Sequence, residues 1–200
     1  MLEVRHICKS YGKGGLWNPQ PKPVLHDVSF HIPAGATVGL VGESGSGKST
    51  LSRLVLGLEQ PDSGTVLLEG QAVPLWLRGN PGRMSVVFQD YTTSVNPGYS
   101  IRSIIREPLL ACGRGVNSDK TVLALMDRVG LAPNLADRLP HEVSGGQLQR
   151  VCIARAIATD PRFVVFDEAI SSLDISVQTR VLDLLRELKG NMTYFFIAHD

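Results

Sequence analysis

Gly42-Glu43-Ser44-Gly45-Ser46-Gly47-Lys48-Ser49 forms one uninterrupted stretch of this chain, followed by Thr50. It has the order G-x-x-x-x-G-K-[ST], with an apolar run, Thr37 to Val41, before it and Leu51, Leu54 and Val55 at helical spacing after it. Glycines let such a loop curl until successive N–H groups point inward, and the helix starting near Lys48 adds the positive end of its dipole. The result is a nest for phosphate oxygens. The Lys48 ammonium is expected to reach the β- and γ-phosphates of a nucleotide, and the Ser49 hydroxyl to coordinate Mg²⁺. Chance alone would produce the pattern in roughly one chain in a hundred of this length, before the strand and helix on either side are demanded.

Four apolar runs have strand length: 37–41, 84–88, 163–166 and 194–197. Their continuous apolar character predicts strands of a parallel sheet, buried on both faces beneath helices. Val28, Phe30 and Ile32 alternate with polar residues before Pro33-Ala34-Gly35, and 66–69 ends at Gly70, so the first third reads as short strands with turns. Gly12 to Pro23 reads as a Gly/Pro-rich loop. Helical spacing is found at Val122, Leu125, Met126 and Val129 and again at Val177, Val181, Leu184, Leu185 and Leu188, each stopped by a glycine. The expected fold is α/β: a P-loop NTPase core with a parallel sheet, an N-terminal antiparallel β flank and an inserted helical subdomain. A single domain is expected over 1–200, with its core at 1–99 and 161–200 and the helical lobe at about 100–160. There is no internal repeat.

In open α/β sheets, ligands lie beyond the carboxyl ends of the strands. Each apolar run here ends in chemistry: the phosphate loop after Val41, Gln89 after Phe88, Asp167-Glu168 after Phe166, and His199 two residues past Ile197. Asp167 is the expected acidic partner of Mg²⁺, because a small hard cation prefers oxygen ligands and keeps its waters. Glu168 is then beside the γ-phosphate, where a carboxylate can polarise an attacking water. Gln89, also toward the metal, and His199 complete the surround.

Composition narrows the partners. Twenty Lys and Arg against nineteen Asp and Glu leave a net charge of +1, so no global basic field points to nucleic acid. No apolar run approaches the roughly 20 residues that cross a bilayer, and the amino terminus does not read as a signal peptide. The expected place is the cytosol. Cys8, Cys112 and Cys152 fit neither a disulfide framework nor a zinc spacing and read as inert thiols.

Val143 followed by Ser144-Gly145-Gly146-Gln147, between the phosphate loop and the acidic pair, resembles the signature motif of ABC-type ATPases. The resemblance covers nearly the whole chain. It implies that Tyr11 stacks on adenine, Gln89 is the Q-loop glutamine, Asp167-Glu168 end the Walker B strand, Ser171-Ser172-Leu173-Asp174 form the D-loop, and His199 is the switch histidine. It also implies a head-to-tail pair of ATPase subunits, with ATP between the phosphate loop of one and the signature of the other. The signature precedes a helical stretch, 148–158, and so offers a second anion site at a helix start.

Phe88-Gln89-Asp90, Ser94-Val95-Asn96-Pro97, Arg106-Glu107-Pro108, Gln147-Leu148-Gln149-Arg150-Val151-Cys152 and Asp167-Glu168-Ala169 are similar to the nickel, dipeptide and oligopeptide importer branch. They most resemble the second ATP-binding subunit of nickel importers. The implied cofactors are ATP and Mg²⁺. The implied partners are a sister ATPase subunit in a heterodimer, two transmembrane permease subunits and, indirectly, a solute-binding protein, with the chain peripheral on the cytoplasmic face of the membrane. Val143, Ala169, Ile170 and Ser172 depart from the commoner family residues without removing a phosphate contact. Relatives continue past the switch histidine, whereas this sequence stops at Asp200, which reads as a truncated copy. Two other readings stay open: a soluble ABC ATPase without a permease, and a remnant that binds nucleotide without turning it over.

Overall fold

Among the described residues, the strand-forming segments fall into two groups and build two separate sheets. The computed structural model describes residues 1–12, 21–114, 118–169 and 175–199. The chain runs β1 (Leu2–Tyr11), β2 (Lys22–Ile32), β3 (Thr37–Val41), α1 (Lys48–Val55), β4 (Ser63–Leu68), β5 (Gln71–Ala72), α2 (Val73–Gly79), β6 (Met84–Phe88), α3 (Ile101–Ala111), α4 (Ser118–Arg128), α5 (Gly145–Ile157), β7 (Phe163–Asp167), α6 (Ile175–Leu188) and β8 (Thr193–Ala198). Single 3-10 turns lie at Pro133–Leu135 and Pro140–Glu142. One sheet, in the order β2-β1-β4-β5, is antiparallel; the other, β3-β8-β7-β6, is parallel.

The central strands of the parallel sheet show why an unbroken apolar run makes a strand here. Alternate residues of a strand point to opposite faces. Phe163 and Val165 of β7 enter a core with Leu51, Leu54 and Trp76, while Val164 and Phe166 enter another with Ile104, Met126 and Ile153. Every residue of these runs therefore has apolar surface to bury.

The outer strands differ from the expectation of burial on both faces. β3 exposes Thr37, Gly39 and Val41, the last at 64%, and packs only Val38 and Leu40 against a core. β6 is mostly half-buried, and Phe88 at its end is exposed. Both lie at the margins of the described sheet, so an apolar run alone does not tell an edge strand from a central one.

The antiparallel flank also corrects the sequence reading. β1 and β2 are ten and eleven residues long, not short strands, and β2 starts at Lys22, so Pro23 belongs to a strand and not to the preceding loop. Both strands bulge. His6 and Asp27 have φ of 50° and 48°, and the ladder shifts register on either side of Ile7. Such a bulge reverses which face the later residues point to, and this hides the period-two pattern of β1 from inspection. The His6 ring nitrogen Nδ1 lies 2.7 Å from Asp27 Oδ1, so the two bulges face each other across the ladder. Helix α2, starting beside Pro74, was not evident from spacing; it buries Trp76, whose Nε1 donates to Glu69 Oε2 at 3.0 Å.

Candidate active site

The phosphate loop leaves the edge of the sheet at Val41 and enters α1 at Lys48. Gly47 caps the helix at φ 95°, a left-handed conformation; an added Cβ would lie 2.7 Å from Leu25 Cδ2 and 3.1 Å from the Val24 carbonyl. Only glycine fits there without a shift. The first turn of α1 holds no acidic residue and no side-chain cap, so its amide dipoles are left for an external anion. Lys48 is buried, and its Nζ donates to the Gly42 and Glu43 carbonyls at 2.6 and 2.8 Å. The ammonium thus ties the loop to the helix start, and its third N–H can be offered to a phosphate.

Parallel register brings the other strand ends to the same edge. Val41 is level with Ala198, Ile197 with Asp167, and Asp167 with Phe88. Ser49, Gln89, Asp167 and Glu168 line one cleft of about 390 Å³, together with Arg53 and Phe88. An adjoining cleft of about 310 Å³ is lined by Tyr11, Val24, Ser44, Gly45, Gly47, Lys48, Ser49, Thr50 and again Glu168. Ser49 and Glu168 border both.

Burial raises the Asp167 carboxyl above the ordinary range, and the Glu168 charge adds to this, while the Ser52 hydroxyl, Arg53 and Lys48 work against it. Glu168 itself has φ 50°, a conformation costing a non-glycine residue about 1–2 kcal/mol. Its N–H donates to the Ile197 carbonyl at 2.8 Å, and the carbonyl of the next residue, Ala169, accepts from Gln149 Nε2 at 2.9 Å. The turn is clamped on both sides. Ser49, Gln89 and Asp167 supply only oxygen ligands, a donor set that suits a hard divalent cation, and the described residues hold no cluster of three His, Cys, Asp or Glu that would make a resident metal site.

The remaining expected residues are less tightly gathered. Tyr11 reaches the second cleft, where its hydroxyl donates to Glu59 Oε2 at 2.5 Å and the Lys9 ammonium lies 5.5 Å from the ring centroid. His199 follows β8 at the same edge but is exposed and lines neither cleft. The stretch Ser144 to Gln147 also lies outside both. There, Ser144 caps α5, its Oγ accepting from the Gln147 N–H at 3.3 Å and its own N–H donating to Gln147 Oε1 at 2.9 Å. Gly145 is packed beneath the Tyr91 hydroxyl, which an added Cβ would meet at 2.9 Å. The D-loop residues Ser171, Ser172, Leu173 and Asp174 lie outside the described residues.

Two contributors were given no role by sequence. Arg53 borders the acidic pair one turn after Ser49, a spacing that could have revealed it; Gln149 contacts Ala169 across 20 residues, and no local pattern announces that.

Comparison with known proteins gives one consistent result. The family described as ABC transporter matches residues 25–171. A metal-staphylopine import system ATP-binding protein of Staphylococcus aureus is 43% identical over the whole chain, which spans 82% of that protein. A nickel import ATP-binding protein of Rhodospirillum rubrum is 44% identical, again over the whole chain and 76% of its own length. Among solved structures, an ATP-binding cassette captured as a dimer in a post-hydrolysis state with ADP and Pi superimposes with a TM-score of 0.85 at 26% identity, covering all of this chain and 88% of that one.

Proposed function

The chain belongs to the ABC transporter family, and from that premise we propose that it is an ATP-hydrolysing subunit that energises import of a small solute through a membrane permease. The observation that carries the proposal is the shared lining of one cleft by Ser49, Gln89, Asp167 and Glu168, next to the phosphate loop. In this reading the loop from Gly42 to Thr50 holds the triphosphate through backbone N–H groups, and Lys48 offers its third N–H to the β- and γ-phosphates. Tyr11 stacks on the base.

Ser49, Gln89 and Asp167 would hold Mg²⁺, which when bound neutralises charge on the β- and γ-oxygens. Asp167 does so as the carboxylate. Glu168 accepts a hydrogen bond from a water aligned with the γ-phosphorus and draws off its proton as the water oxygen bonds to phosphorus. The bond to the bridging oxygen breaks, leaving ADP and phosphate. His199 donates to the γ-phosphate from the end of β8 once the site closes.

The signature stretch, Ser144 to Gln147, lies apart from both clefts of its own chain, which favours its serving ATP held by a second subunit packed head to tail. Asp174 contributes to that interface. A heterodimer with a sister ATPase, on the cytoplasmic face of the membrane under permease subunits, is the assembly proposed, with a solute-binding protein delivering the cargo. No helix among the described residues is long and apolar enough to cross a membrane. The cargo proposed is nickel, a metal chelate or a short peptide.

Calorimetry with ATP and magnesium tests the reading. Wild type binds and releases phosphate, whereas Lys48→Ala loses tight binding; equal affinity of the two proteins overturns the assignment.

A further inference from the structure

A buried glutamine in α5 leaves its amide oxygen without a hydrogen-bond partner among the described residues. Gln149 is 1% exposed, its Nε2 donates to the Ala169 carbonyl at 2.9 Å, and its Oε1 has no partner among the described residues. An unpaired buried amide oxygen is costly, and an apolar side chain of similar size would fill the space without that cost. Packing therefore does not explain the residue. Its one bond does.

That bond ends on the turn carrying Glu168. Between β7 and the residues that follow, Glu168 is held at φ 50° by its own N–H bonded to Ile197 and by the captured carbonyl of Ala169. A non-glycine residue has roomier conformations available, and releasing either clamp lets it take them. Gln149 is also five residues along α5 from Ser144, the serine that caps this helix, a rise of roughly 8 Å on a rigid rod. The same helix holds the segment after Gln89, with Arg155 Nη1 donating to the Ser94 carbonyl at 2.6 Å.

We propose that Gln149 is a positioning residue that ties the signature end of α5 to the catalytic turn, so that a triphosphate engaged at Ser144 and Gly145 fixes the carboxylate of Glu168 in the same chain. The inference rests on the proposed function. In a head-to-tail pair the signature meets one ATP and Glu168 the other, so Gln149 links the two nucleotide sites through one side-chain amide. Coupling of this kind is reciprocal in binding: fixing the turn at one site favours engagement of the signature at the other.

Gln149→Met keeps the volume and removes the donor. With the full chain, or its complex with whatever ATPase subunit co-purifies, kcat for ATP hydrolysis is expected to fall about tenfold to a hundredfold, with KM within about twofold. Amide hydrogen exchange at Glu168 and Ala169 is expected to quicken while α5 keeps its protection. Val122→Ala, a core truncation in α4, serves as the control: it lowers thermal stability without changing kcat. Should Gln149→Met fail to fold, Gln149→Asn, one methylene too short to reach Ala169, is read the same way. Wild-type kcat and unchanged exchange in these variants overturn the proposal. If the wild-type protein itself shows no turnover, the proposed function falls, and the exchange at Glu168 and Ala169 alone upholds or overturns the tie.

Discussion

Phe88 and Asp167 are partners across the parallel ladder of β6 and β7. Because of that one pairing, Gln89 and Glu168 leave the sheet together, and both border the cleft that contains Ser49. A shift of one residue in this register would turn Asp167 to the other face and remove it from the cleft. The site thus depends on hydrophobic side chains two and three residues away, which lock the register by filling separate cores on the two faces.

Glu168→Gln is expected to bind ATP with magnesium as tightly as wild type but to hydrolyse it at least ~10²-fold more slowly, the scale of losing a positioned proton acceptor. Single-turnover phosphate release beside an equilibrium binding measurement separates the two effects. Wild-type turnover would remove Glu168 from the chemistry.

Asp167 provides a pH test with a defined sign. Its folded-state pKa is raised, mainly by burial, so the folded protein holds this proton more tightly than the unfolded chain does. Its contribution to stability is most favourable at low pH and declines as pH rises from the ordinary carboxylate range through the raised value. Above that window Asp167→Asn is expected to unfold about 2 °C higher than wild type and to lose magnesium-dependent turnover. A lowered midpoint at neutral pH would show that the ionised carboxylate stabilises the fold.

Gly47→Ala places a Cβ against Leu25 and the Val24 carbonyl at a φ of 95°. The strain is expected to cost about 1–3 kcal/mol and to spoil the loop at the start of α1, so ATP affinity and thermal midpoint fall together. Thermal melts with and without nucleotide measure both, and a variant with wild-type values would contradict the steric account.

Arg155→Ala removes the bonds to the Ser94 carbonyl and hydroxyl, at 2.6 and 3.4 Å. Loss of a partly buried charged donor is expected to cost about 1–3 kcal/mol and to loosen the segment from Gln89 to Ser94. Limited proteolysis should then cut within that segment faster than in wild type. Unchanged cleavage would mean that the segment is held by its other contacts, such as Ser94 Oγ on the Tyr91 carbonyl.

What can be read from residues in order along the chain is whatever depends on local backbone physics. The phosphate loop belongs here, because its shape comes from glycines at fixed offsets and a helix start at Lys48, all within nine residues. So do the periods of α4 and α6 and the unbroken apolar runs of β7 and β8. Tertiary structure decided everything that depends on a residue's distant neighbours. It placed β3 and β6 at the margins of the described sheet, where their apolar faces are only partly covered, and it paired the His6 and Asp27 bulges that disguise β1 and β2. Only folding brings Gln149 against Ala169. A bond spanning 20 residues between a helix and a strand end has no period and no motif, since its geometry is set by the packing of the two elements and not by the spacing of side chains along either one.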